Sequence, residues 1–261
     1  MELACFDAAA RKGLWEFGGI VLPEAFLRNE SLLGGGAVQK LRDSTVAVFG
    51  LGGVGSWCAE ALCRAGVGRL VLIDQDTVGQ SNVNRQLCAL SSTVGLPKAE
   101  VMASRLRDIN PEGEFIPMAA RYEADTREGF FTQGYDFIAD CIDLVACKLD
   151  LIETALARGI PIVSALGTGN KTDAQALKIA DISKTKGCPL ARVMRKELRH
   201  RGINHLTVVY SDELAAKPDQ PETPPPGRRS VPSSIVWVPA CAGMLMCSHI
   251  VMSLTEGLRE N

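Results

Sequence analysis

The chain has 261 residues, 46% of them hydrophobic and 22% charged, with a formal net charge of −2. That length suits one large α/β domain or two small ones, and the composition is that of an ordinary globular protein. The small net charge excludes a whole-molecule field that would drive the chain onto nucleic acid, so any polyanion site must be a local patch.

Residues 1–27 show no clear periodicity and are expected to form an N-terminal extension, followed by one domain over 28–261. The first thirteen residues lack an apolar core with a cleavage site and do not resemble a secretory signal. A helix is expected near residues 30–41, interrupted by Gly34, Gly35 and Gly36. The run TVAVF at 45–49 predicts a buried strand, and GLGGVGS follows it. Residues 57–65 carry helical spacing and stop at Gly66; RLVLI at 69–73 is a second buried strand ending at Asp74.

An amphipathic helix is predicted over 98–109, stopped by Asn110 and Pro111. A strand follows over 137–142, ending at Asp143, then a helix over 148–158 and a strand over 160–165. This alternation predicts parallel pairing through right-handed crossovers, a doubly wound, mostly parallel α/β sheet with a Rossmann-like nucleotide-binding half. Beyond Gly167 come a basic helix over 188–202 and a strand over 206–210. Residues 217–232 hold six prolines in sixteen residues and are expected to be a mobile loop. The apolar stretch 234–254 contains Pro239, Gly243 and His249, which favours a buried terminal helix over a membrane span.

Nine cysteines, an odd number with no C-x-x-C pair, argue against a disulfide framework and the commonest zinc spacing. A reducing, cytoplasmic compartment is expected.

Gly50, Gly52 and Gly55 fit G-x-G-x-x-G between a strand and a helix, with Gly53 inside the loop. Glycines let the backbone approach phosphate, and the helix start offers free N–H groups. Asp74, at the next strand end, stands where a carboxylate holds a ribose. This much also suits an NAD-dependent oxidoreductase. Arg85 and Lys98 add two positive charges downstream, more than a dinucleotide requires and suited to a triphosphate whose pyrophosphate must leave. Asp143, in CIDLVACK, could hold Mg²⁺ at the ligand crevice or simply cap a helix.

The order GLGGVGS, Asp74, NVNRQ, Lys98 and CIDLVACK resembles the ATP-dependent activating enzymes of the ubiquitin-activating, ThiF and MoeB type. Residues 167–203, LTVVYS and RRSVPSSIVWVPACAGMLM are similar to the tRNA threonylcarbamoyladenosine dehydratase branch. The resemblance implies ATP-dependent adenylation of a carboxylate, here the threonyl group of N6-threonylcarbamoyladenosine in tRNA, and closure of a ring with loss of water. It also implies ATP and Mg²⁺, a homodimer, and a sulfur-transfer protein as a further partner. By motif, Gly50, Gly52, Gly53 and Gly55 cradle phosphate; Asp74 holds ribose; Asn82, Arg85, Gln86 and Lys98 line the nucleotide; Asp143 holds the metal. Arg28, in RNESLLG, matches the family's arginine finger, which dimeric relatives supply from the partner subunit.

The same family includes activators of ubiquitin-like or sulfur-carrier C-termini, which remain an alternative. Those relatives use a transfer cysteine or two C-x-x-C zinc pairs; neither pattern is evident here, and Cys188 is expected to be an ordinary residue before Pro189. Seven cations over 184–201, opposed by Glu197 alone, are expected to dock tRNA, with Arg192, Arg195 or Lys196, and Arg199 on one helical face and Val193, Met194 and Leu198 packing inward.

Overall fold

The computed structural model describes residues 14–17, 20–217, 219 and 232–259. A two-stranded antiparallel hairpin, β1 (Leu14–Phe17) and β2 (Ile20–Pro23), opens the described chain. Two short helices follow, α1 (Leu27–Leu33) and α2 (Gly35–Asp43). The alternating part runs β3 (Thr45–Phe49), α3 (Gly55–Ala65), β4 (Arg69–Ile73), α4 (Lys98–Ile109), β5 (Glu114–Met118), β6 (Phe137–Asp140), α5 (Val145–Ala157) and β7 (Ile162–Leu166). It ends with β8 (Leu177–Asp181), α6 (Pro189–His200), β9 (Thr207–Ser211) and α7 (Trp237–Leu254).

Seven strands form one sheet in the order β5-β4-β3-β6-β7-β9-β8. All neighbours are parallel except the edge pair β8–β9. From β3 the chain first builds outward to β4 and β5, then returns to place β6 on the other side. Strand order therefore reverses between β3 and β6, and a doubly wound sheet opens its ligand crevice at the carboxyl ends of such strands.

Alternation within the strands sorts the core into two layers. Val46 and Val48 of β3, with Leu70 and Leu72 of β4, pack under α3, α4 and α7. Ala47, Phe49, Val71 and Ile73 face the opposite way, toward α5 and α6. The central strands β3, β4, β6 and β7 bury both faces, which explains their unbroken apolar runs.

The expected extension contains the β1–β2 hairpin; residues 1–13 lie outside the described residues, as does most of the proline-rich stretch 217–232. Near residues 30–41 there are two helices instead of one, because the chain at Gly34 takes φ +87° and turns between them. Strand β6 stops at Asp140, not at Ile142, so Asp143 stands on the loop that follows. Strands β5 and β8 were not anticipated.

Helix α7 is long and apolar enough to cross a membrane by length and composition. It instead lays Val238, Ala242, Met246 and Ile250, all fully buried, against the sheet and α3. Gly243 makes that approach close: a Cβ there would stand 2.6 Å from the Val54 carbonyl oxygen and 2.9 Å from the Cys58 nitrogen.

Candidate active site

The loop between β3 and α3 is held in shape by its glycines. Gly50 has φ +89°, and a Cβ on it would meet the Cys141 carbonyl oxygen at 2.8 Å. A Cβ on Gly55 would lie 1.8 Å from the Gly50 carbonyl oxygen, so the helix starts against its own loop. Gly52 differs: a Cβ there would have only the Gln86 Nε2 for company, at 3.9 Å. That glycine keeps space open rather than relieving a clash inside the protein. Gly53 lies over Pro239 of α7 and the aliphatic stem of Arg85.

The other predicted residues gather around this loop. Asp74, just past β4, accepts from the Leu51 backbone N–H through Oδ2 at 2.6 Å and from the Asp76 N–H through Oδ1 at 2.8 Å. Burial pushes its carboxyl above the ordinary aspartate value, against Lys98 and those two N–H groups, which favour the charge. Lys98 is the first residue of α4 and is buried; its Nζ donates to Asp76 Oδ2 at 3.0 Å. Asp76 was missed in the sequence. Its only signal is the D-x-D spacing after the strand, which is common in exposed turns.

The NVNRQ segment closes a third side. The Ser56 hydroxyl donates to the Gly52 carbonyl at 2.7 Å and accepts from the Leu87 N–H at 3.2 Å, tying the segment to the glycine loop. Trp57 Nε1 donates to the Arg85 carbonyl at 3.0 Å. The Arg85 guanidinium is steadied by the Ser81 carbonyl and the Asn84 side chain, both at 3.0 Å. Gln86 is buried beside Gly52. Asn82 has a local duty, since its Oδ1 accepts from the Gly79 N–H at 3.0 Å. Asn84 Nδ2 reaches the Ser234 carbonyl at 3.0 Å and so ties the site to the segment entering α7.

Asp143 approaches from across the strand-order reversal. It is exposed on the loop between β6 and α5. The loop is anchored by the Cys141 N–H donating to the Phe49 carbonyl at 2.8 Å, immediately before Gly50. Around the glycine loop thus stand Asp74, Asp76 and Lys98, linked to it through Leu51; Arg85 and Gln86, tied to it through Trp57 and Ser56; and the loop that carries Asp143, anchored at Phe49.

Three predicted features lie elsewhere. Arg28 is exposed on α1; its neighbour Asn29 donates to the Arg64 carbonyl at 2.9 Å, and Phe26 packs beside Gly66. Both contacts are at the C-terminal end of α3. Eleven residues at about 1.5 Å each place that end roughly 16 Å from the glycine loop. On α6, Arg192, Lys196 and Arg199 are exposed together, but Arg195 turns away and donates to the Thr185 carbonyl at 2.7 Å and its hydroxyl at 2.5 Å. Val193 is exposed; Ala191, Met194 and Leu198 form the packing face instead. Cys188 is buried, and its sulfur accepts from the Ala191 N–H at 3.5 Å as the helix cap. A Cβ on Gly167 would come within 2.6 Å of that sulfur, so the thiol lies against the Gly167 backbone.

The ThiF family model matches residues 26–260, nearly the whole described chain. The chain belongs to the ThiF family. Among ThiF relatives, it is 44% identical over 242 residues to a Bacillus subtilis protein named tRNA threonylcarbamoyladenosine dehydratase, covering 89% of this chain and 95% of that one. An Escherichia coli protein of the same name is 42% identical over 168 residues, 64% of this chain and 63% of the relative. The solved E. coli dehydratase TcdA in complex with ATP superposes with a TM-score of 0.80 at 34% identity, covering 88% of this ThiF chain and 93% of that one.

Proposed function

We propose that the chain uses ATP to adenylate the carboxylate of N6-threonylcarbamoyladenosine in tRNA, and that the carbamoyl group then closes a ring with net loss of water. The observation that carries this reading is the convergence of Asp74, Lys98, Arg85, Gln86 and the Asp143 loop on one glycine loop. The long match to a dehydratase relative then selects the substrate.

The residues divide the work. Gly52 leaves its side open for phosphate at the start of α3, where the positive end of a helix favours an anion. Asp74 accepts from a ribose hydroxyl in this reading. Asp76 orients Lys98, so the ammonium is fixed before the nucleotide arrives. Lys98 and Arg85 neutralise the phosphates. The substrate carboxylate is already ionised at neutral pH, so no general base is needed. Its oxygen attacks the α-phosphorus, the bond to pyrophosphate breaks, and charge grows on the leaving oxygens where the cations stand. Attack by the carbamoyl group on the activated carbonyl then expels AMP, which carries away the carboxylate oxygen, while the carbamoyl N–H proton is released to water.

Among the described residues no group of three or more His, Cys, Asp or Glu could hold a metal ion. A single carboxylate on a loop is nonetheless the donor set Mg²⁺ uses when phosphates and water complete its shell. Asp143 is that carboxylate in this reading, and Mg²⁺ bound there supplies charge neutralisation on the phosphates.

Arg28 completes the site from a second copy of the chain, since its own α1 is tied to the far end of α3. The exposed cations Arg192, Lys196 and Arg199 of α6 contact tRNA phosphates. The eight described cysteines are all unpaired, in keeping with a reducing, cytoplasmic setting. Incubation with ATP, Mg²⁺ and tRNA carrying threonylcarbamoyladenosine tests the whole reading. The nucleoside should lose the mass of one water, with AMP and pyrophosphate released in equal amounts. ATP consumption that requires a small carrier protein and leaves the nucleoside mass unchanged would overturn it.

A further inference from the structure

Behind Asp143 lies an ion pair with no access to solvent. Asp140, the last residue of β6, and Lys148, in the first turns of α5, are both 0% exposed. Lys148 Nζ donates to Asp140 Oδ2 at 2.7 Å and reaches the Asp140 carbonyl at 3.4 Å. Ser164 Oγ of β7, also fully buried, donates to the same Oδ2 at 2.5 Å. The other oxygen, Oδ1, accepts from the Ile142 N–H at 3.1 Å.

Burying two charges is expensive even when they pair, and apolar or neutral replacements of such pairs are often no less stable. Stability alone therefore gives weak reason for this pair in the middle of the core. Its position supplies a better one. The four residues between Asp140 and Val145 carry Asp143. Lys148 joins the start of that loop through the Asp140 side chain and its end through its own N–H, which donates to the Leu144 carbonyl at 2.9 Å. The Ile142 N–H bond fixes the turn just before Asp143. Cys141 fixes the loop against Phe49 and Gly50, and so against the phosphate cradle.

We infer that Asp140, Lys148 and Ser164 are positioning residues that lock the Asp143 loop, so that its carboxylate is presented to the phosphate-bound metal in one geometry. The inference rests on the reading of Asp143 given above. A metal ligand whose loop is fixed in advance loses less freedom on binding. Supporting groups around metal ligands commonly change metal affinity by about ten- to a hundredfold.

The test uses the full chain with ATP and Mn²⁺ as a paramagnetic probe, followed by electron paramagnetic resonance. The double variant Asp140→Asn/Lys148→Met is neutral and close in shape, so its melting temperature should stay near wild type. Its binding of ATP without metal should be unchanged, while Mn²⁺ affinity of the enzyme–ATP complex falls by about tenfold. Ser164→Ala removes one bond to Asp140 and should give a smaller loss in the same direction. If the double variant does not fold, Ser164→Ala carries the test. Asp143→Asn separates the two claims. Normal Mn²⁺ binding in Asp143→Asn would overturn the reading of Asp143 and the inference with it. Weak Mn²⁺ binding in Asp143→Asn alongside wild-type binding in the folded strap variants would overturn the positioning role alone.

Discussion

At the scale of single residues, the glycine loop separates structural from ligand-facing positions. Gly55→Ala forces a methyl within 1.8 Å of the Gly50 carbonyl oxygen, so the loop or the helix start must move. We expect a loss of stability of about 1–3 kcal/mol, typical of overpacking, together with loss of ATP binding. Gly52→Ala meets no such obstacle and should melt within about 0.5 kcal/mol of wild type, as unobstructed substitutions do. Its ATP affinity should still fall, because the methyl occupies the cradle. Thermal denaturation and ATP titration of the two variants check both expectations; equal stability losses would remove the distinction. Asp143→Asn should leave the fold intact and reduce pyrophosphate release by at least about a hundredfold, the scale of losing one electrostatic stabiliser. The glycines and Asp74 were legible in the sequence because their spacing is imposed by a strand–turn–helix that admits few residues. Asp76 and Asp140 were not, because a carboxylate in a turn and a buried lysine partner leave no pattern until the chain is folded.

At the scale of elements, α3 and α4 are joined by Glu60, which is buried and accepts from both Arg64 and Arg105. Burial alone would raise its carboxyl, but the Arg105 and Arg64 guanidiniums overcome that and hold it below the ordinary glutamate value. A carboxylate depressed in the folded state contributes stability above its unfolded value, and that contribution is lost as pH falls through the folded one. Both arginines are partly exposed, so the contribution is discounted to about 1–2 kcal/mol. Wild type should exceed Glu60→Gln in stability by that amount at neutral pH, and the gap should close in acid. A constant gap from neutrality into acid, measured by urea unfolding, would contradict the assignment. On α6, Arg192, Lys196 and Arg199 form the exposed stripe, so neutralising all three should lower the salt slope of tRNA binding by roughly two to three units. Arg195→Ala should instead cost stability through its bonds to Thr185. The helical period identified this helix but not which cations faced outward, since Arg195 and Lys196 are adjacent and only Thr185 decides between them. Strands β5 and β8 were not legible for a related reason. Both lie at sheet edges; β5 carries Pro117, and β8 has two exposed residues in five, so neither shows the apolar run of a central strand. Helix α7 was legible as a buried helix, but its part in the site was not. Its packing on Gly53 through Pro239 depends on the close α3–α7 approach at Gly243.

At the scale of the whole molecule, the geometry bears on how many chains make one site. Arg28 matches an arginine finger by motif, yet Asn29 and Phe26 fasten α1 to the C-terminal end of α3, about 16 Å from the glycine loop at its start. That separation is longer than an arginine side chain, and we propose that a finger at this position serves another copy. A closed two-fold dimer would then form two equivalent shared sites. Each finger would stabilise charge on the neighbour's leaving pyrophosphate, an effect that can be worth on the order of 10³-fold in rate. Mixing Arg28→Ala with Asp143→Asn, each inactive alone, tests this after subunit exchange. One site of every mixed dimer combines an intact Asp143 with an intact Arg28 from the partner, and the other site lacks both. Random exchange makes about half the dimers mixed, each with one good site of two, so about a quarter of wild-type activity should return. A finger acting within its own chain would leave every site broken. No recovery despite exchange verified by mass, or full activity in a monomer, would show that Arg28 does not complete the site in this way.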